Sequence, residues 1–132
     1  MGDKAQLLAL AERCEAATGR DRELDDAIAT ALFEDKQRAC IKGLTDEAGG
    51  MWMFRYPDGS IGSALRFTAS IDAALTLVPE GFAVLLATSP NGSVCDVHSK
   101  PLGEEGEYPG HSRAATPALA LCAASLRARA HG

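Results

Sequence analysis

The side chains that could do chemistry are a cysteine, two histidines and a serine in the C-terminal half. Cys95 and His98 are three residues apart, with His111 further on, and thiolate and imidazole are ligands that zinc accepts. If segment 93–99 is a strand, however, Cys95 and His98 point to opposite faces. His111 and Ser112 are neighbours, but adjacency builds no nucleophile–base pair, and the chain has no G-x-S-x-G elbow. The sequence therefore predicts no metal, no cofactor and no catalytic residue.

Two predicted helix starts combine an arginine with a capping hydroxyl. Ser70 follows Arg66, and Thr116 follows Arg113. A helix N-terminus binds anions through its free N–H groups and its dipole. If both helices begin at the same edge of the sheet, the four side chains could surround one small anion. Ordinary helix capping is the alternative interpretation.

Segment 100–115 is predicted to be a long loop, because it is rich in glycine, proline and acidic residues. Long loops in compact domains are commonly functional. This one carries Tyr108, His111 and Arg113, and aromatic and arginine side chains are typical of binding surfaces. Recognition of a partner and a passive mobile connection both remain open.

Segment 51–56 predicts a strand and holds the chain's one tryptophan. In a strand Trp52, Phe54 and Tyr56 share one face, and two methionines lie on the other. We expect one face to belong to the core. The second face is a candidate surface for a partner or for a homodimer.

The apolar periodicity predicts an α+β fold in the order α-α-β-β-α-β-β-α, with a mainly antiparallel sheet packed against helices. Segment 82–88 is apolar on both faces, which predicts a central strand covered on both sides. Segment 34–50 leaves open whether the second helix extends or a strand begins. The predicted elements lie at 2–17, after an Asp21 cap, at 51–56, 61–67, 71–78, 82–88 and 93–99, and from Pro117 onwards.

Length and composition predict one globular domain over residues 1–132, with 46% apolar and 23% charged residues. The net charge of −5 arises between Asp21 and Asp35, where six acids meet one base. The rest of the chain is therefore neutral overall, which argues against general nucleic-acid binding. We interpret the acids as the solvent face of a helix or as a patch that docks on a basic partner. No segment predicts a signal peptide or a membrane span, and four scattered cysteines suggest reduced thiols in the cytoplasm.

Three segments together resemble small phage and prophage proteins of the phage ABA sandwich domain type. They are Glu23–Ile28, Phe67–Ala74 and Ala115–Cys122. The matched positions are helix caps and core residues, which specify a fold and no chemistry. The resemblance implies a helix–sheet–helix sandwich and a phage or prophage origin. It supplies no site residue.

These observations lead us to expect a non-catalytic phage or prophage binding protein in the cytoplasm of a bacterial host. It would antagonise host defence by blocking a host protein or by sequestering a signalling nucleotide, so its partner is a host protein or a small anionic ligand. One alternative is a small phage structural or assembly protein that acts as an oligomer. Another is a small hydrolase that uses the 100–115 loop.

Overall fold

A computed structural model of the chain describes residues 3–33, 37–39, 51–98 and 110–131. These residues form helices and antiparallel strands that pack together, which confirms the predicted α+β class and the predicted order of elements. Two short strands, at Gln37–Ala39 and Gly110–Ala114, are additional to the predicted ones. The elements are α1 Lys4–Ala16, α2 Arg22–Leu32, β1 Gln37–Ala39, β2 Met51–Arg55, β3 Ile61–Gly62, α3 Ile71–Leu75, β4 Ala83–Ser89, β5 Gly92–His98, β6 Gly110–Ala114 and α4 Pro117–His131.

The predicted helix caps are confirmed. Asp21 Oδ1 accepts a hydrogen bond from the Leu24 N–H at 3.1 Å, and Ser70 Oγ accepts one from Ala73 at 3.2 Å. Thr116 Oγ1 accepts from Leu119 at 3.2 Å. Each short polar side chain satisfies an N–H that has no partner within its helix. The third helix ends at Leu75, three residues earlier than the sequence pattern predicts.

The first sheet has the strand order β1-β2-β3. The turn between β2 and β3 is where Pro57-Asp58-Gly59 predicts it, and Gly59 takes the left-handed φ of 89°. Phe54 and Tyr56 are buried, so the predicted core face of β2 is confirmed for these two residues. Residues 37–39, which the sequence left open between helix and strand, pair with β2.

The second sheet has the order β4-β5-β6, and its central strand is β5. The prediction that segment 82–88 is central was wrong: within the described residues β4 is an outer strand. Leu85 on its outward face is 54% exposed, and Ala87 is exposed as well. The error arose because an outer strand can carry apolar side chains on both faces without burying both. The central strand is β5, and its polar residues Ser93, Asp96 and His98 gave no indication in the sequence of a central position.

The predicted loop 100–115 was wrong at its C-terminal end, where residues 110–114 form β6. Gly110, Ser112 and Ala114 are buried, whereas His111 and Arg113 are exposed. The alternation is regular, but the inward side chains are small or polar, so no apolar period reveals the strand. Residues 100–109, the N-terminal part of that predicted loop, lie outside the described residues.

Helix α4 packs tightly on the inward face of this sheet. Its residues from Ala118 to Leu126 are all buried, and four of them are alanines. At the closest approach a Cβ on Gly110 would stand 2.5 Å from the carbonyl oxygen of Ala124. Glycine and alanine therefore let the helix approach the strands closely.

Within the described residues, no helix combines the length and the apolarity needed to cross a membrane.

Candidate functional site

Three arginines line a cavity of about 590 Å³ beside the start of α2. Arg20 lies in the turn between α1 and α2, Arg22 is the first residue of α2, and Arg66 lies between β3 and α3. We call this space the arginine cavity. Its other lining residues are Asp25, Ser63, Ala64 and Ala69.

The segment that carries Arg66 is fixed to α2 by a buried hydrogen-bond network around Thr68. The Thr68 N–H and the Thr68 hydroxyl both donate to Asp25 Oδ1, each at 2.8 Å. The same hydroxyl oxygen accepts from the Asp21 N–H at 2.8 Å. Asp25 is only 2% exposed, and a buried carboxylate needs such partners. The network brings together arginines that are distant in the sequence.

Arg22 is held in place by hydrogen bonding and by an ion pair, which distinguishes it from Arg20 and Arg66. Arg22 Nη1 donates to the Ala64 carbonyl at 2.8 Å and lies 3.6 Å from Asp25 Oδ2. Among the described residues, no carboxylate forms an ion pair with Arg20 or Arg66. Three guanidinium groups against one carboxylate leave an excess of two positive charges in the cavity. This charge matches a small dianion.

A second cavity, of about 550 Å³, has walls that include Phe33, Tyr56, Ile61 and Leu65. We call it the apolar cavity. The Tyr56 hydroxyl donates to the Ser63 carbonyl at 2.7 Å and accepts from the Leu65 N–H at 3.1 Å. Burial raises the pKa of Tyr56, so the phenol stays neutral. Its ring meets Phe33 edge-on, with the centroids 4.8 Å apart.

The outward face of the second sheet carries an exposed histidine beside a carboxylate. His111 Nδ1 lies 2.5 Å from Asp96 Oδ1, across the β5–β6 pair. Ser112 points to the opposite face and donates to Glu15 Oε2. His111 and Ser112 therefore do not form a catalytic pair, although they are adjacent in the sequence.

Glu15 joins three elements in a structural clamp. Arg127 donates to its two oxygens, from Nε at 2.9 Å and from Nη2 at 2.6 Å, and Ser112 adds a third hydrogen bond. Burial raises the pKa of the Glu15 carboxyl, but Arg127 and Ser112 lower it by more, so the pKa lies below its ordinary range. The clamp fastens α1 and α4 to β6 and leaves Ser112 inaccessible, since Ser112 is buried.

The three described cysteines, Cys14, Cys95 and Cys122, are free and buried. Burial, and then the charge of Asp96, raise the pKa of Cys95 to about 12. Such a thiol is a poor nucleophile and a poor metal ligand. Within the described residues, no three His, Cys, Asp or Glu side chains are grouped closely enough to hold a metal ion.

The side chains predicted to form a site divide among several places. Arg66 lines the arginine cavity, whereas the lining contains neither Ser70, Arg113 nor Thr116. Ser70 and Thr116 serve as ordinary caps. That all four gather round one anion stays a prediction.

The remaining predicted side chains lie elsewhere in the chain. His111 and Arg113 lie on β6 rather than on a loop. Trp52 lies in β2, where its backbone pairs with Arg38. Tyr108 is outside the described residues, so its predicted role is untested.

Sequence reasoning missed Arg20 and Arg22. A signal was present, because these two arginines flank the Asp21 cap just as Arg66 precedes the Ser70 cap.

Comparison of the chain with protein-family models, curated proteins and solved structures gave no match. The resemblance to phage ABA sandwich proteins accordingly stays a prediction.

Proposed function

We propose that the chain is a non-catalytic binding protein whose ligand is a small phosphate-type dianion held in the arginine cavity. The observation that supports this most directly is the excess positive charge at Arg20 and Arg66. Guanidinium groups bind phosphate oxygens through paired, charge-assisted hydrogen bonds. Arg22, already fixed by Ala64 and Asp25, supplies a preorganised third wall.

Binding is favoured over catalysis because the cavity's described lining has no general base free to activate a hydroxyl, since Asp25 is engaged by Thr68 and Arg22. The lining hydroxyl is that of Ser63, and no histidine lines the cavity within the described residues. Of the two modes of action that the sequence left open, the cavity favours sequestration of a small anion over blocking of a host protein. The resemblance extends this proposal to a phage or prophage protein that antagonises host defence.

The test is calorimetric titration of the full chain with ribose 5-phosphate. We expect measurable binding that weakens as salt rises, because the contacts are ionic. Arg66→Ala should weaken it roughly tenfold, since a hydrogen bond to a charged group contributes about 1.5–3 kcal/mol. Arg113→Ala, an exposed arginine outside the cavity, is the matched control. Absence of binding, or equal effects of the two variants, would contradict the proposal.

A second candidate function is assembly as an oligomer, and the outer strand β4 favours it. Its sequence, AVLLATS, has no charged residue and no proline, the features that usually protect a sheet edge from pairing. Pairing of β4 with a second copy would extend the sheet. The test is light scattering after size exclusion.

Under this candidate the wild-type chain exceeds monomer mass and Leu85→Lys restores the monomer. Leu75→Lys, at a leucine on α3 that is 45% exposed, should leave the mass unchanged. A wild-type monomer at high concentration would eliminate the assembly function.

A further inference from the structure

The two cavities lie on either side of one short segment of chain. Leu65 lines the apolar cavity, Ala64 and Arg66 line the arginine cavity, and Ser63 lines both. The phenol of Tyr56, in the apolar cavity, is close enough to Arg22 for the arginine's charge to act on its pKa. The two cavities therefore meet at Ser63, which lies in the lining of both.

The apolar cavity suits a flat ring with polar edges. Its walls include the rings of Phe33 and Tyr56 and the aliphatic Ile61, while Ser60 and Thr76 add hydroxyl groups. The Ser60 hydroxyl donates to Asp58 and the Thr76 hydroxyl donates to the Ala73 carbonyl, so each oxygen keeps acceptor capacity for a ligand N–H. A nitrogen heterocycle supplies such a donor, whereas an alkyl chain does not.

Charge sets the orientation of such a ligand. Asp58 lies in the lining of the apolar cavity and accepts hydrogen bonds from the Ser60 hydroxyl at 2.6 Å and from the Ser60 N–H at 2.9 Å. These bonds lower the pKa of Asp58, so the carboxyl is ionised at neutral pH. A phosphate would be repelled at this end and attracted at Arg20 and Arg66.

We infer that the two cavities hold the two halves of one ligand, a nucleotide, with its phosphate on the arginines and its base between Tyr56 and Ile61. The inference rests on the proposed function and narrows it from phosphate-type anions in general to nucleotides. The volumes, about 590 and 550 Å³, are each within the range of small-molecule sites.

The experiment compares the four ribonucleoside 5′-monophosphates with ribose 5-phosphate by calorimetry on the full chain. At least one nucleotide should bind roughly tenfold more tightly than ribose 5-phosphate, because burying the base removes apolar surface from water. Ile61→Ser should reduce that advantage about fivefold and leave ribose 5-phosphate binding unchanged. Leu85→Ser is the matched control, since Leu85 is 54% exposed and Ile61 is 55% exposed.

The outcomes separate this inference from the proposal beneath it. If all four nucleotides bind no more tightly than ribose 5-phosphate, and Arg66→Ala still weakens them, the inference is wrong and the arginine site stands. The inference is also overturned if Ile61→Ser and Leu85→Ser have equal effects. If no phosphate compound binds the wild-type chain, both the proposed function and the inference fail.

Discussion

Replacing Gly110 by alanine tests how closely α4 packs on the second sheet. The new Cβ would lie 2.5 Å from the Ala124 carbonyl oxygen, 2.7 Å from the Val97 carbonyl oxygen and 2.9 Å from Val97 Cβ. Two of these atoms belong to backbone, so a change of rotamer cannot relieve the overlap. The helix and the sheet must move apart.

The size of the effect follows from that separation. Ordinary contact begins near 3.4 Å, so α4 must retreat by about 0.9 Å from its present position. A gap of that size loses a quarter to a half of the dispersion energy of each contact. Leu119 and Leu126 of α4 are fully buried, so a shift of the helix disturbs well-packed side chains. We expect the free energy of unfolding to fall by about 2–4 kcal/mol, at or above the upper end for an overpacked core.

The assay is urea unfolding followed by circular dichroism, with Gly19→Ala as the control. A Cβ at Gly19 would meet no atom within 4 Å, and its φ is not in the left-handed region. This control should change stability by less than about 0.5 kcal/mol or raise it slightly. If Gly110→Ala were as stable as Gly19→Ala, the close approach of helix and sheet would be wrong.

Three further predictions concern the buried polar groups. Thr68→Val should cost about 2 kcal/mol of stability, because it removes the hydroxyl's hydrogen bonds with the buried Asp25 carboxylate and with the Asp21 backbone. Thr30→Val on the exposed face of α2 should be neutral in the same urea assay. Glu15→Gln should destabilise the chain by about 1 kcal/mol at pH 7. Because the folded-state pKa of Glu15 is lowered from the ordinary value of 4.5, that difference in stability should begin to shrink below about pH 4.5 and vanish only below the folded-state pKa, as urea titrations at decreasing pH would show. In a Cys40→Ser background, Cys95 and the other two buried thiols should not react with a thiol reagent at pH 8 until the chain unfolds.

Local signals predicted a large part of the fold. Asp21, Ser70 and Thr116 act as caps because each is a short polar residue immediately before a helix. The turns at Gly59 and Gly92 were predictable because a glycine in a turn sequence indicates a position with positive φ. Both glycines do have positive φ. These features depend only on neighbouring residues.

The order of strands in the second sheet could not be predicted in the same way. Leu85 and Ala87 look like core residues by type, yet lie on the outward face of an outer strand. Ser112 looks like a surface residue by type, yet it is buried. Its hydroxyl donates to Glu15, and Arg127 in turn donates to the same carboxylate. The burial of Ser112 depends on partners from α1 and α4, which are distant in the sequence. The local pattern of residue types therefore cannot predict it.

The arginine cavity was missed for a related reason. Thr68 and Asp25, whose hydrogen bonds assemble it, are 43 residues apart in the sequence. The acidic run from Asp21 was interpreted as a solvent face or as a docking patch, but Asp25 is buried and Asp21 caps α2. Only the spacing of arginines around caps hinted that Arg20, Arg22 and Arg66 share a surface.

The roles of Asp21 and Asp25 explain how a chain with a net negative charge can present a positively charged cavity. The net charge is −5, which argues against a protein that attracts polyanions over long distances. Salt, however, screens exposed charges beyond about 8 Å at physiological strength, so affinity at a small site depends on the nearest groups. Asp25 is already bonded to Thr68 and neutralised in part by Arg22. The charge that a ligand meets is therefore that of Arg20 and Arg66, and it is positive.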